Sequence, residues 1–125
     1  MKILVVEDDP IAAKIAEMII RRTRSTAELT ISKTGEHALA LCQKEAFDLI
    51  LLDIGLPDCS GYDIALNVKT LEHQDNTPIY MLSAHIKARS ELCPSALSCI
   101  SGFISKPLSF DKFKNILSKM PSEVG

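Results

Sequence analysis

Residues 49–52 form the unbroken apolar run Leu-Ile-Leu-Leu, which ends on the carboxylate of Asp53. A run without a polar face predicts a strand that is buried on both sides of a parallel sheet. The following residues, 54–61, include two glycines and a proline, which indicates a loop. A central strand that ends on an unbalanced carboxylate needs a cation, a metal or a group of donors from elsewhere in the fold.

The chain length of 125 residues predicts one domain that folds without disulfides or a structural metal. We expect this domain to span residues 1–120 and the tail 121–125 to be frayed. The 14 basic and 16 acidic residues leave a formal net charge of -2, without a basic stripe that contains aromatic residues. We therefore expect no direct nucleic-acid binding. The densest basic cluster, Arg21, Arg22 and Arg24, is predicted to end a helix, where cations are favourable.

Cysteine spacing and the N-terminus indicate the compartment. Cys42, Cys59, Cys93 and Cys99 form no CxxC pairs and have no histidines at zinc-finger spacing, so we expect buried or half-buried thiols in a reducing environment. The apolar run at residues 3–6 is too short for a signal peptide or a membrane span. These features predict a cytoplasmic chain that does not contact the membrane.

Strand and helix patterns alternate five times along the chain, which predicts an α/β fold with helices on both faces of a parallel sheet. The predicted strands are residues 2–6, 28–32, 48–53, 78–82 and 102–105. Helices are predicted at about 10–22, 36–44 and 62–71, in a short or irregular stretch near Pro94, and in a last segment. Residues 72–76 are predicted to be a loop.

Side-chain patterns in the first and last helices predict their buried faces. Asp9 and Pro10 are expected to begin the first helix. Its predicted apolar face comprises Ile11, Ile15, Met18 and Ile19, and that of the last helix comprises Phe110, Phe113, Ile116 and Leu117. The three histidines have no partners at metal-ligand spacing and are predicted to be surface residues: His37, His73 and His85.

Polar residues stand at the carboxyl ends of four predicted strands, where such sheets bind ligands: Glu7, Asp8, Asp53, Ser83 and Lys106. If the strand order is 2-1-3-4-5, they meet in one shallow pocket. Three carboxylates beside one ammonium favour a bound cation, and Mg²⁺ fits because it takes few carboxylates and keeps several waters. A metal, a lysine and a hydroxyl that face one carboxylate can hold a phosphoryl group, and that carboxylate can be the nucleophile.

Taken singly, three of these residues have an ordinary structural explanation. Asp53 could cap a loop, Ser83 could be a turn residue and Lys106 could be solvated. Their occurrence together at successive strand ends favours a common site.

In order and spacing these residues resemble the receiver domain of two-component response regulators, over essentially the whole chain. The resemblance is carried by Glu7-Asp8, by Asp53 with Leu56-Pro57 and Gly61, by Ser83-Ala84 and by Lys106-Pro107. It implies a flavodoxin-like, doubly wound, five-stranded parallel sheet of order 2-1-3-4-5 with five helices. The segment 103–108 is similar to receivers of hybrid sensor histidine kinases.

The resemblance also implies the reaction. Asp53 would accept a phosphoryl group from a phosphohistidine on a sensor histidine kinase or a histidine phosphotransfer domain. Asp8, Asp53 and the Gly55 carbonyl would bind Mg²⁺, and Glu7 would act through a water. Glu7 replaces the commoner aspartate of the family, and its longer side chain should still reach a metal-bound water.

The same resemblance assigns the switch. Ser83 and Lys106 would bond phosphoryl oxygens, and Phe103 would swing inward as Ser83 moves toward the phosphate. Phe103 lacks the hydroxyl of the usual tyrosine, so a switch that needs this hydroxyl is not expected. The Lys106-Pro107 bond would be cis.

Two other functions compete with a signalling receiver that only phosphorylates and dephosphorylates itself. A Mg²⁺-dependent phosphohydrolase with an aspartyl nucleophile typically needs a second aspartate two residues later, where this chain has Gly55. A binding-only module would lack a working acidic site. The cognate kinase, the output pathway, the full-length context and any homodimer through the last strand stay open.

Overall fold

The computed structural model describes residues 1–74, 76–83 and 98–120. Its five strands are β1 (Lys2–Val6), β2 (Glu28–Ser32), β3 (Leu49–Asp53), β4 (Ile79–Ser83) and β5 (Gly102–Ser105). They form one sheet in the order β2-β1-β3-β4-β5, and every adjacent pair is parallel. The predicted architecture and strand order are therefore confirmed.

The described residues include four α-helices: α1 (Pro10–Thr23), α2 (Gly35–Lys44), α3 (Gly61–Lys69) and α4 (Phe110–Lys119). The helix predicted near Pro94, the tail 121–125, Cys93 and His85 lie outside the described residues. Asp9 caps α1 as predicted, because its carboxylate accepts a hydrogen bond from the Ile11 N–H at 3.2 Å. Among the described residues, no helix has the length and apolar character needed to span a membrane.

Alternate residues of the central strands build a core on each face of the sheet. Ile3 and Leu49 face α1 and α4, whereas Leu4 and Ile50 face α2 and α3. All five residues of β3 are buried, which explains the unbroken apolar run in the sequence. Each fully buried aliphatic side chain contributes about 2 kcal/mol, so this strand is a major part of the stability.

The buried face of α1 differs from the prediction. Ile11 is 71% exposed and Met18 is 41% exposed, so assigning them to the core was wrong. The buried residues of α1 are Ala13, Ala16, Ile19 and Ile20. Two of them are alanines, whose small side chains carry little weight in a pattern of large apolar residues.

The predicted stripe of α4 is also partly wrong. Phe113 and Ile116 are buried and Leu117 is partly buried, but Phe110 is 38% exposed. Phe110 is the first residue of the helix, directly after its cap Ser109, and it lies at the margin of the face that packs on the sheet. The core of this helix therefore begins one turn later than predicted.

The cysteines in the described part of the chain agree with the prediction. Cys42 is buried, and Cys59 and Cys99 are half-buried. Burial, reinforced by the charge of Glu45, raises the pKa of Cys42 to about 11. This thiol therefore stays protonated at neutral pH and behaves as a small apolar core residue.

The polar segment after α3 was wrongly predicted to be only a loop. Residues Glu72–Gln74 form a turn of 3-10 helix, and the side chain of Gln74 is fully buried. Its amide nitrogen donates to the carbonyls of Cys42 at 2.9 Å and Glu45 at 2.6 Å, and its oxygen accepts from the Phe47 N–H at 3.2 Å. Gln74 therefore ties the segment between α2 and β3 to the chain entering β4. His73 beside it is exposed, as predicted for a surface histidine, and so is His37.

Candidate functional site

The sheet register brings the predicted site residues to one edge. In the β1/β3 pair, Val6 lies opposite Leu52, so the residues that follow β1 lie beside Asp53. In the next pairs Asp53 lies opposite Leu82, and Ser83 lies opposite Ser105. The carboxyl ends of four strands therefore meet at the switch point of strand order, where doubly wound sheets bind ligands.

Three carboxylates converge at this edge. Ligand atoms of Glu7, Asp8 and Asp53 all lie within 4.8 Å of one another. Glu7 is 1% exposed and Asp53 is 6% exposed, whereas Asp8 is exposed to solvent. The cluster therefore has a buried floor and one open side.

Lys106 bridges two of the carboxylates. Its Nζ lies 3.0 Å from Asp53 Oδ1, and it lies 3.1 Å from Oε1 and 2.9 Å from Oε2 of Glu7. Burial would lower the pKa of Lys106, but its hydrogen bonds to Glu7 and Asp53 outweigh this effect and raise the pKa. The Lys106 side chain is therefore protonated and positively charged at neutral pH. The Lys106-Pro107 bond is cis, as the resemblance implied.

The site has more negative than positive charge. Burial raises the pKa of Glu7 and the nearby charge of Asp53 adds to this effect, whereas the hydrogen bond from Lys106 opposes it. One ammonium therefore does not fully neutralise the three carboxylates.

Backbone N–H groups orient the two buried carboxylates. The Asp9 N–H donates to Glu7 Oε1 at 3.3 Å, and the Gly55 N–H donates to Asp53 Oδ1 at 3.3 Å. Asp53 Oδ1 therefore has two donors, the Gly55 N–H and Lys106. This arrangement fixes the plane of the Asp53 carboxylate relative to the loop that follows it.

The remaining predicted residues lie at the same end of the sheet. Ser83 ends β4 and is 6% exposed, and its carbonyl accepts from the Lys106 N–H at 2.8 Å. Phe103 lies on β5, half-buried against the core layer of α2 and α3. The structure thus brings Glu7, Asp8, Asp53 and Lys106 together and places Ser83 next to the strand that leads to Lys106.

The donor set fits a hard divalent cation. Carboxylate oxygens are the ligands that Mg²⁺ prefers, and the exposed side at Asp8 leaves room for the waters that Mg²⁺ keeps. Among the described residues, Glu7 Oε2 is buried without an aligned hydrogen-bond donor, although it forms an ion pair with Lys106. An oxygen with unused hydrogen-bonding capacity can accept from a metal-bound water.

Asp58 and Gly61 contribute to the site beyond what the sequence indicated. Asp58 hydrogen-bonds the first turn of α2, which the sequence does not signal because the partners are more than twenty positions apart. Gly61 was predicted as a turn residue and as part of the motif that carries the family resemblance, without a structural reason for a glycine there. A Cβ atom at this position would lie 2.2 Å from the Asp53 carbonyl oxygen and 2.9 Å from Met81 Cε, so only glycine allows α3 to start this close to β3.

Replacing Gly61 with alanine should therefore lower the free energy of unfolding by about 2 kcal/mol, because the backbone of β3 or α3 has to shift. The matched control is Gly55→Ala, where the added Cβ would meet no atom within 4 Å. We expect that variant to stay within about 0.5 kcal/mol of the original protein. Urea denaturation followed by circular dichroism measures both, and equal midpoints for the two variants would contradict the close approach at Gly61.

The fold and the site define a doubly wound α/β domain with an acidic, lysine-containing site at its switch point. The sequence profile of the response regulator receiver domain family matches residues 3–118. The chain belongs to this family and is a phosphoryl-accepting receiver domain of two-component signalling.

Similar proteins include both large kinases and a small regulator. The chain is 29% identical over 119 residues to the signal transduction histidine-protein kinase BarA of Escherichia coli K12, covering 94% of this chain and 12% of BarA. It is 28% identical to the aerobic respiration control sensor protein ArcB of the same organism, covering 95% of this chain and 15% of ArcB. It is 27% identical to the chemotaxis protein CheY of Pseudomonas aeruginosa, covering 96% of this chain and 95% of CheY.

A solved structure with a similar fold is the receiver domain of the sensor histidine kinase PA1611 from Pseudomonas aeruginosa PAO1. It has a TM-score of 0.83 and 26% sequence identity, and the match covers 95% of both chains. That structure has a magnesium ion coordinated in its active-site cleft.

Proposed function

We propose that Asp53 is the phosphoacceptor of this receiver domain, and that Mg²⁺ is its metal ion. The observation that carries the proposal is the contact of 3.0 Å between Lys106 Nζ and Asp53 Oδ1, at the end of the central strand and beside two further carboxylates. A phosphohistidine on a sensor histidine kinase or on a histidine phosphotransfer domain would be the donor. The reaction forms an O–P bond to Asp53 and breaks the P–N bond of the donor, whose imidazole leaves.

Each site residue has a separate role in this reaction. The Gly55 N–H and Lys106 orient the Asp53 carboxylate for attack on phosphorus. Lys106 stays protonated because of its carboxylate partners, so it can transfer its hydrogen bond from Asp53 to a phosphoryl oxygen. When bound, Mg²⁺ would be held by Asp8, Asp53 and the Gly55 carbonyl, with Glu7 acting through a water, and it would neutralise charge on the phosphoryl oxygens.

The conformational signal would begin at the end of β4. Ser83 lies there among buried surroundings, and its hydroxyl would donate to a phosphoryl oxygen. Phe103, on the neighbouring strand β5 opposite Met81, would move inward as Ser83 is drawn toward the phosphate. Because Phe103 has no hydroxyl, the switch would depend on how deeply the ring is buried.

We propose that residues 1–120 form a cytoplasmic receiver unit, which itself binds neither membrane nor nucleic acid. The family profile over residues 3–118 supports this extent. The similarity to BarA and ArcB, of which the chain covers 12% and 15%, favours the receiver of a hybrid histidine kinase as the full-length context. Homodimerisation is not required by the proposal.

The phosphohydrolase is less well supported. An acid/base side chain is needed two residues after the nucleophile, and Gly55 has none. We therefore propose self-phosphorylation and slow loss of the acyl phosphate as the only turnover.

Incubation with Mg²⁺ and acetyl phosphate tests this function. We expect intact-mass spectrometry to show one added phosphoryl group per chain, lost slowly after the donor is removed, and no addition when EDTA is present. An unmodified mass with Mg²⁺ present would overturn the proposal. Release of phosphate from p-nitrophenyl phosphate over many turnovers would favour the phosphohydrolase instead.

A further inference from the structure

The loop between β3 and α3, residues 54–60, is attached to the start of α2 through the exposed side chain of Asp58. We call residues 54–60 the site loop, because it carries Gly55. Asp58 Oδ1 accepts from the Gly35 N–H at 2.9 Å, and Oδ2 accepts from the Glu36 N–H at 3.0 Å. These two bonds keep the pKa of Asp58 below its usual value. The Asp58 carboxylate thus caps a helix that lies far from it in sequence.

The first turn of α2 shares its capping between two side chains. Thr34 Oγ1 accepts a hydrogen bond from the His37 N–H at 3.1 Å. The Asp58 carboxylate accepts hydrogen bonds from the two preceding N–H groups, those of Gly35 and Glu36. Helix N-terminal N–H groups lack partners within the helix, so both caps stabilise α2. Only the cap from Asp58 also holds the site loop.

The site loop also packs tightly against this turn. A Cβ atom on Gly35 would lie 2.2 Å from Cys59 Sγ, so the loop and the start of α2 are in direct contact. Leu56 is 9% exposed and fills the core on the same side of the sheet. Gly55, in contrast, is exposed, and a Cβ atom there would meet nothing within 4 Å. Side-chain packing therefore does not fix the position of Gly55.

The position of Gly55 depends instead on the backbone of the loop. Gly55 pairs with Ser60 in an antiparallel bridge, and the Gly61 N–H donates to the Ile54 carbonyl at 2.8 Å. These contacts pair the two ends of the site loop, and Asp58 lies between them in the turn. Attaching this turn to α2 consequently restrains both ends of the loop, including the peptide of Gly55.

We propose that Asp58 is a positioning residue that, by anchoring the site loop on α2, places the Gly55 carbonyl for Mg²⁺ binding. The inference depends on the proposed function, in which Gly55 supplies a ligand. Mg²⁺ requires near-octahedral geometry with ligands at about 2.0–2.1 Å, so a loop that moves by a few tenths of an ångström loses affinity. Asp58 touches neither the metal nor Asp53 in this role.

The experiment is a Mg²⁺ titration of the unphosphorylated protein, followed by the NMR amide shifts of Asp8 and Gly55. We expect Asp58→Ala to raise the Mg²⁺ dissociation constant roughly tenfold, the lower end for groups that position metal ligands. Asp58→Asn retains one acceptor oxygen and should recover part of the affinity. The matched control is Thr34→Ala, which removes the other cap of α2 without releasing the loop, and we expect its dissociation constant to match that of the unmodified protein.

Each result bears on a different part of the inference. An unmodified protein that does not bind Mg²⁺ would refute the metal site and with it this inference. Binding of Mg²⁺ with equal affinity by the original protein and Asp58→Ala would refute only the positioning role. Equal weakening by Asp58→Ala and Thr34→Ala would also refute it, because helix stability would then be the cause. Thermal melts identify any variant that is not folded, in which case Asp58→Asn replaces Asp58→Ala in the comparison.

Discussion

Replacing Asp53 with asparagine is expected to abolish phosphorylation of the chain by acetyl phosphate in the presence of Mg²⁺. An amide is a poor nucleophile and cannot form the acyl phosphate, although its oxygen can still accept from Lys106 and Gly55. The fold should therefore persist while the reaction is lost. Intact-mass spectrometry after incubation with the phosphodonor measures the effect, and circular dichroism checks the fold.

The matched control is Asp63→Asn, which changes an exposed aspartate in the first turn of α3. Asp63 lies only ten positions from Asp53, yet it belongs to a helix surface rather than to the strand-end site. We expect this variant to be labelled as fully as the original protein. Labelling of Asp53→Asn to the same extent would show that another residue accepts the phosphoryl group.

The sequence predicted the sheet and the convergence of the site because both depend on simple regularities. A strand buried on two faces leaves no polar side chain between its ends, so residues 49–52 could be identified from their unbroken apolar run. Parallel strands share the direction of their carboxyl ends, so Asp8, Asp53 and Lys106 were expected to meet. Their distances in the structure agree with this reasoning.

Features that depend on contacts between distant segments could not be predicted in the same way. The periodicity of α1 indicates a helix, but Ile11 and Met18 face solvent, and two of the four buried residues are alanines, which a pattern of large apolar residues does not reveal. Asp58 looked like an ordinary loop residue, since its partners belong to another helix. Burial of a polar side chain in a polar segment has no sequence signal until its partners are known, and Gln74 is the clearest example.

Replacing Gln74 with alanine is expected to lower the free energy of unfolding by about 3–5 kcal/mol. The side chain is fully buried and hydrogen-bonds three backbone groups, the carbonyls of Cys42 and Glu45 and the N–H of Phe47. Thr77 Oγ1 lies 3.0 Å from its oxygen as well. Truncation would leave these groups buried with fewer partners and create a cavity, against a total stability of about 5–15 kcal/mol for a domain of this kind.

The control for this prediction is Gln43→Ala, which removes the same side chain from an exposed position on α2. Alanine is the better helix former, so we expect no loss of stability there. Urea denaturation followed by circular dichroism compares the two variants with the original protein. A similar midpoint for both would mean that water replaces the lost hydrogen bonds of Gln74. A larger loss of stability in Gln74→Ala would show that this buried polar side chain holds the segment between α2 and β3 in place. That segment leads into the strand that ends at Asp53.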